Sequence, residues 1–294
     1  MKKDQAASLR EKFNVISERK TDQGQYGVRS LSFTSGKGGV GKTNIVVNLA
    51  MQLSRMGKKV FLLDADLGLA NIDIMLNLTP AYTIEDVLSG KKNINDIIVE
   101  GPMGVHIVPA SSGVVEMTEL NSNQQMSMLK ELSGLKTKYD YILIDTGAGI
   151  ASSVLRFNAA ADEICVVTNS EPTAMTDAYA LMKIMATKYQ IKRFNLIVNQ
   201  STLKEAQEVY QRLSTVFNQF LPIHLIFMGF IPRDPNFTKA VKNQKPLSLL
   251  MPNSATTKAF GLIAKHIDAN PGLPFFDEGL KGGFWQKLAK WKKN

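Results

Sequence analysis

The stretch Gly36-Lys37-Gly38-Gly39-Val40-Gly41-Lys42-Thr43 constrains this chain more than any other part of its 294 residues. Four glycines in eight positions remove the side chains that would hold a ligand away from the main chain, so successive N–H groups can turn towards an anion. Ahead of the loop, Ser30-Leu31-Ser32-Phe33-Thr34-Ser35 has the composition of a strand, and behind it apolar residues recur at helical spacing from Lys42 to Arg55. Strand, glycine loop and helix in that order describe a phosphate-binding loop. Gly36, Gly38, Gly39, Val40 and Gly41 form its cradle, and the helix N-terminus behind them favours negative charge. Lys42 is expected to neutralise the outer phosphates of a nucleotide, and the Thr43 hydroxyl to meet magnesium.

Strand-like runs recur at 59–64, 105–109, 141–145, 163–168, 194–199 and 224–231, each separated from the next by a segment that can hold a helix. Val60-Phe61-Leu62-Leu63, Tyr141-Ile142-Leu143-Ile144 and Ile164-Cys165-Val166-Val167 are continuously apolar, the signature of strands covered on both faces. The spacing predicts an α/β fold, a doubly wound and mostly parallel sheet over residues 30–270. Asp145, ending one of those apolar strands, is placed to hold a magnesium ion through a water. Lys37 occupies a place the basic loop pattern leaves free, and taken alone it reads equally well as a solvent-exposed charge. His106, His224 and His266 are far apart with no ligand spacing, and Cys165, the single cysteine, lies in an apolar run. One cysteine per chain excludes an internal disulfide, a thiolate zinc site and an iron–sulfur cluster bridged by paired cysteines.

Lys37-Gly38-Gly39-Val40-Gly41-Lys42-Thr43, then Leu63-Asp64-Ala65-Asp66-Leu67-Gly68-Leu69-Ala70-Asn71, then Asp145-Thr146-Gly147-Ala148-Gly149 together resemble the MinD/ParA family of ATPases with a variant phosphate loop. The resemblance implies that Lys37 reaches across an ATP-dependent homodimer to the partner's phosphates, that Asp66 orients the attacking water, and that Asp64 helps organise the magnesium region. It places the Gly147 N–H near the γ-phosphate. The absence of an Asn-Lys-x-Asp signature favours ATP over GTP, and Asn199, Pro232 and Asp234 match the positions that frame adenine in this family. Glu171-Pro172, at another strand end, falls near the expected dimer face, with its role open.

The net charge is +9, but residues 1–29 carry seven Lys/Arg against four Asp/Glu, and residues 277–294 five against two. The body therefore holds little of the excess, which argues against a broad nucleic-acid face. On a C-terminal helix, Phe284, Trp285, Leu288 and Trp291 share one side while Lys287, Lys290 and Lys293 lie to the others, a pattern suited to anionic lipid or to packing on a protein surface. It resembles the membrane-targeting helix of MinD-like proteins. At the other end, Asp4-Gln5-Ala6-Ala7-Ser8-Leu9-Arg10 matches an element that the FlhG group of the family, also called FleN or YlxH, carries ahead of its ATPase domain. In that group Asp4, Gln5, Leu9 and Arg10 would engage and stimulate the GTPase FlhF. Thr173-Ala174-Met175-Thr176-Asp177-Ala178-Tyr179 is similar to the same group.

Three regions are thus expected: a partner-activating helix and linker (1–29), the ATPase domain (30–270), and a linker with a membrane-targeting helix (271–294). The resemblance implies a regulator of flagellar number and placement, cytoplasmic and reversibly attached to the inner face of the cell membrane. Its cofactors would be ATP and magnesium, and its partners a second copy, FlhF and flagellar switch-complex components. A division-site ATPase of the MinD type and a DNA-segregation ATPase of the ParA type stay open as alternatives.

Overall fold

The computed structural model describes residues 28–66, 71–83, 86–87, 89–108 and 138–270. The N-terminal element with Asp4, Gln5, Leu9 and Arg10, the loop 67–70, Pro109, and the C-terminal segment with Phe284, Trp285, Leu288 and Trp291 lie outside the described residues.

The chain runs β1 (Arg29–Ser35), α1 (Lys42–Arg55), β2 (Val60–Ala65), α2 (Ile72–Met75), α3 (Ile94–Ile97), β3 (Val99–Glu100) and β4 (His106–Val108). It continues β5 (Tyr141–Ala148), α4 (Ser152–Ala160), β6 (Glu163–Thr168), α5 (Pro172–Tyr189), β7 (Arg193–Val198) and α6 (Leu203–Phe220). β8 (His224–Phe230), α7 (Asn236–Lys242), α8 (Leu247–Leu250) and α9 (Ala255–Ala269) complete it. The strands form one sheet in the order β3-β4-β2-β5-β1-β6-β7-β8. Every neighbouring pair is parallel except β3 with β4.

Alternation along the continuously apolar strands feeds two cores, because successive side chains leave a strand on opposite faces. Leu62, Leu143, Cys165 and Val167 pack with α1 and α9 on one face. Ile142 and Ile144 pack with α4 residues, and Ile164 and Val166 with α5 and α6 residues, in two clusters that the other residues of the same strands supply. Helices on both faces make the sheet doubly wound. β1 lies inside it between β5 and β6, so the loop at its carboxyl end opens where the strand order changes direction, the place such sheets reserve for ligands. Among the described residues no helix is long and apolar enough to cross a membrane.

Two departures from the sequence-based expectation have local causes. β5 does not stop at Asp145 but continues to Ala148, because the Thr146 hydroxyl donates to the Phe33 carbonyl at 2.9 Å and a shift in the β1–β5 ladder pairs Ser35 with Ala148. The edge strand β3 runs against the alternating pattern, since a tight turn over Pro102–Gly104 folds the chain straight back onto β4.

At the opposite end of the sheet, Arg29 opens β1 and binds far along the chain. Its guanidinium donates to Glu163, to the Tyr141 hydroxyl at 3.2 Å, and to the carbonyls of Ile267 and Asn270 at 2.8 and 3.3 Å. The first described strand is thereby fastened to the end of the last helix.

Candidate nucleotide site

α1 begins without a capping side chain: its N-cap is Gly41, in the left-handed region at φ 87°, and no acidic residue stands in its first turn. α6 shows the contrast, since Thr202 and Glu205 there form a reciprocal capping box that satisfies the first-turn donors. The donors at the start of α1 are left facing the glycine loop, where an anion can take them. Two glycines in the loop are dictated by packing. A Cβ on Gly36 would stand 2.2 Å from the Asp177 carbonyl carbon of α5, and one on Gly41 would stand 2.4 Å from the Asn199 side-chain nitrogen. Gly38 has open space around it, as befits a position that leaves room for a ligand.

Lys42 is buried, 7% exposed, and its Nζ meets Asp145 Oδ1 at 2.5 Å. Burial pushes the Asp145 carboxyl upward, while the Lys42 ammonium and the Thr43 hydroxyl pull it back. Asp64 is the register partner of Asp145 on the adjoining strand, so the two carboxylates leave the sheet on the same face. Burial and the neighbouring Asp145 charge raise Asp64 to about 7, against the backbone N–H groups of Asp66, Asn71 and Ile72 that donate to it. Asp64 therefore also closes the turn into α2. Thr43 and Asp64 each lie next to Asp145, and all three offer oxygen donors of the kind a hard cation takes. Among the described residues no cluster of three or more His, Cys, Asp or Glu could hold a metal unaided.

Asp66, half-buried, lies beside Gly147: a Cβ built there would be 3.5 Å from Asp66 Oδ1. Lys37 points the other way from Lys42. Its side chain is 42% exposed, and its Nζ meets Glu171 Oε2 at 3.0 Å and Thr173 Oγ1 at 3.1 Å, at the start of α5. The Lys37 ammonium holds the Glu171 carboxyl below the usual range. Sequence reasoning marked Glu171 without a role; the signal was an acid followed by proline at the end of a strand, which puts a carboxylate at a helix start on the loop's own side of the sheet.

Asn199 is buried, and its Nδ2 donates to the Val40 carbonyl at 2.7 Å. Among the described residues its Oδ1 has no partner, an acceptor left open beside the loop. The segment with Pro232 follows through Ser201 N–H to Ile231 O at 3.1 Å and Arg233 Nε to Gln200 O at 2.8 Å. Asp234 is engaged within the chain, accepting from Asn236 and from the Thr256 hydroxyl at 2.7 Å, so it shapes this loop through its own turn. The histidines and the cysteine stand apart. His106 Nδ1 lies 2.7 Å from the Tyr139 hydroxyl, His224 is exposed, His266 is half-buried in α9, and burial pushes the Cys165 thiol up.

A family described as AAA domain matches residues 28–201. The chain is 41% identical to the antiactivator FleN of Pseudomonas aeruginosa, covering 90% of this chain and 94% of that protein. It is 31% identical to the flagellum site-determining protein YlxH of Helicobacter pylori, covering 98% and 99%. Among solved structures, the septum site-determining protein MinD of Pyrococcus horikoshii, complexed with Mg-ADP, superposes with a TM-score of 0.65 at 27% identity, covering 82% of this chain and 96% of that one.

Proposed function

The chain belongs to the MinD/ParA family of phosphate-loop ATPases, in its FleN/YlxH branch, and from that premise we propose that it regulates flagellar number and placement as an ATP-driven switch between a monomer and a membrane-attached dimer. The observation that carries the switch is the divergence of the two loop lysines. Lys42 is buried against Asp145, whereas Lys37 is partly exposed and held at the surface by Glu171 and Thr173. A lysine so placed serves phosphates that a second copy brings to it.

Magnesium-bound ATP supplies the electrophilic phosphorus and the leaving diphosphate. Lys42, now paired with Asp145, would meet phosphate oxygens instead, and Thr43, Asp64 and Asp145 would hold the cation, which would draw charge from the phosphates. Asp66 orients the attacking water from beside Gly147, and Lys37 adds positive charge where the transition state concentrates negative charge. Asn199 accepts from the adenine amino group through its unpartnered Oδ1. Dimerisation doubles the C-terminal segments carrying Phe284, Trp285, Leu288 and Trp291, so that two weak anchors bind by avidity. The N-terminal Asp4, Gln5, Leu9 and Arg10 are presented to FlhF, and switch-complex components are the cargo.

Light scattering on purified protein tests the core of this reading. Asp66→Ala should run as a dimer in saturating ATP and a monomer in ADP, and Lys37→Ala as a monomer in both with an unchanged melting temperature. A monomeric Asp66→Ala protein in saturating ATP refutes the switch. Stimulation of FlhF turnover by the wild-type chain, and its loss in Gln5→Ala, tests the partner.

A further inference from the structure

We propose that the outward stripe of α9 is a contact surface for anionic phospholipid on the ATPase body itself, additional to the C-terminal segment. The proposal rests on the membrane-attached reading above and extends it to a surface that reading does not use.

α9 buries Thr256, Thr257, Phe260, Ile263, Ala264 and Ile267 against the domain. Its exposed positions are then Ala255, Lys258, Leu262, Lys265 and Ala269, spaced three, four, three and four residues apart, which places them in one row along the helix. Leu262, at 68%, is the most exposed large apolar side chain among the described residues, and it sits between two lysines of the same row. Helix α7, whose Phe237 packs edge-on against Phe260 of α9 with ring centres 6.3 Å apart, carries the further exposed lysines Lys239 and Lys242, and Lys245 follows it in the turn. Residues 235–267 hold five lysines and no Asp or Glu, so the rest of the body is slightly acidic. Among the described residues none of these five ammonium groups stands in an ion pair.

Basic residues alone would suit any polyanion. Apolar side chains alternating with lysine, without arginine or an aromatic ring in the row, suit a headgroup layer, where lysine stems lie along the surface and a leucine enters the acyl boundary. Along the chain, α9 is followed, after a linker, by the segment that carries Phe284, Trp285, Leu288 and Trp291. The stripe and that segment would meet one surface, and the body would be oriented on it rather than hanging from a tether.

The test is co-sedimentation of the full-length protein, in ATP, with vesicles of phosphatidylglycerol or of phosphatidylcholine. The double variant Lys258→Glu/Lys265→Glu should need at least about thirtyfold more phosphatidylglycerol for half-pelleting, roughly fivefold for each basic residue lost and more for the two repelling carboxylates. Leu262→Ser should weaken pelleting in the same direction. Both proteins should keep wild-type ATPase activity and ATP-dependent dimerisation, since neither position touches the nucleotide site. If the wild type pellets in ATP and the double variant pellets equally, this proposal falls while the membrane switch stands. If the wild type does not pellet in ATP, the membrane reading falls and takes this one with it. Wild-type binding to duplex DNA that these lysines control, with lipid binding unaffected, would also overturn it.

Discussion

Replacing Asp64 by asparagine should stabilise the fold at pH 8 and leave it almost unchanged at pH 4.5. Asp64 is 4% exposed, faces Asp145, and has its carboxyl raised from 3.8 to about 7. A group raised in the folded state favours folding while it is protonated there, so its contribution is complete below pH 4 and is lost as the pH climbs towards 7. At ~1.4 kcal/mol per unit, the shift corresponds to roughly 4 kcal/mol lost across that window. Asparagine keeps the shape and an accepting oxygen but serves the N–H groups of Asp66, Asn71 and Ile72 less well, a loss of about 1 kcal/mol. The variant should therefore gain about 3 kcal/mol at pH 8 and close to nothing at pH 4.5. Urea denaturation followed by circular dichroism, in chelator and without nucleotide, reads this as a midpoint difference that opens between pH 5 and 7.5. If wild type and Asp64→Asn lose stability in parallel over that range, the carboxylate pair is not the source of the pH dependence. The stabilised variant should also hydrolyse ATP more slowly, because its amide no longer offers charge to the cation region.

Gly36→Ala should lower the melting temperature by roughly 5 °C or more, since its Cβ would enter the Asp177 backbone, whereas Gly38→Ala, with open space, should melt as wild type. Asn199→Ala should weaken ATP binding by about ten- to a hundredfold in calorimetry while changing GTP binding far less; equal losses for both nucleotides would remove Asn199 from base recognition. Glu171→Gln should free Lys37 and lower the ATP concentration at which dimers form, read by light scattering, and a higher requirement would mean that Glu171 aids the dimer rather than competing with it.

What could be read from sequence follows from how local each signal is. The glycine loop, helix α1 from Lys42 to Arg55 and strand β6 from Glu163 to Thr168 were legible because composition and period change sharply at their ends. The two-residue strand β3 was not, as only its pairing with β4 makes it a strand. Asp145 was found, but its place three residues inside β5 was not, because that extension depends on the carbonyl of Phe33, more than a hundred residues earlier. Asp64 was singled out for the cation region, while its closing of the turn into α2 depends on where Asn71 and Ile72 fold back. The Lys37–Glu171 contact joins a loop to a helix start that no periodicity connects.

The seating of β1 has a bearing on how the protein is born. Among the described strands it emerges first from the ribosome, yet both of its neighbours, β5 and β6, are synthesised more than a hundred residues later. Its first residue, Arg29, waits longer still for the carbonyls of Ile267 and Asn270. Throughout that interval a nascent apolar strand has no sheet to join, and pairing over such separations is slow. The strand that holds the phosphate loop is thus the one most dependent on protection during translation, and the nucleotide site cannot exist until almost the whole body has been made.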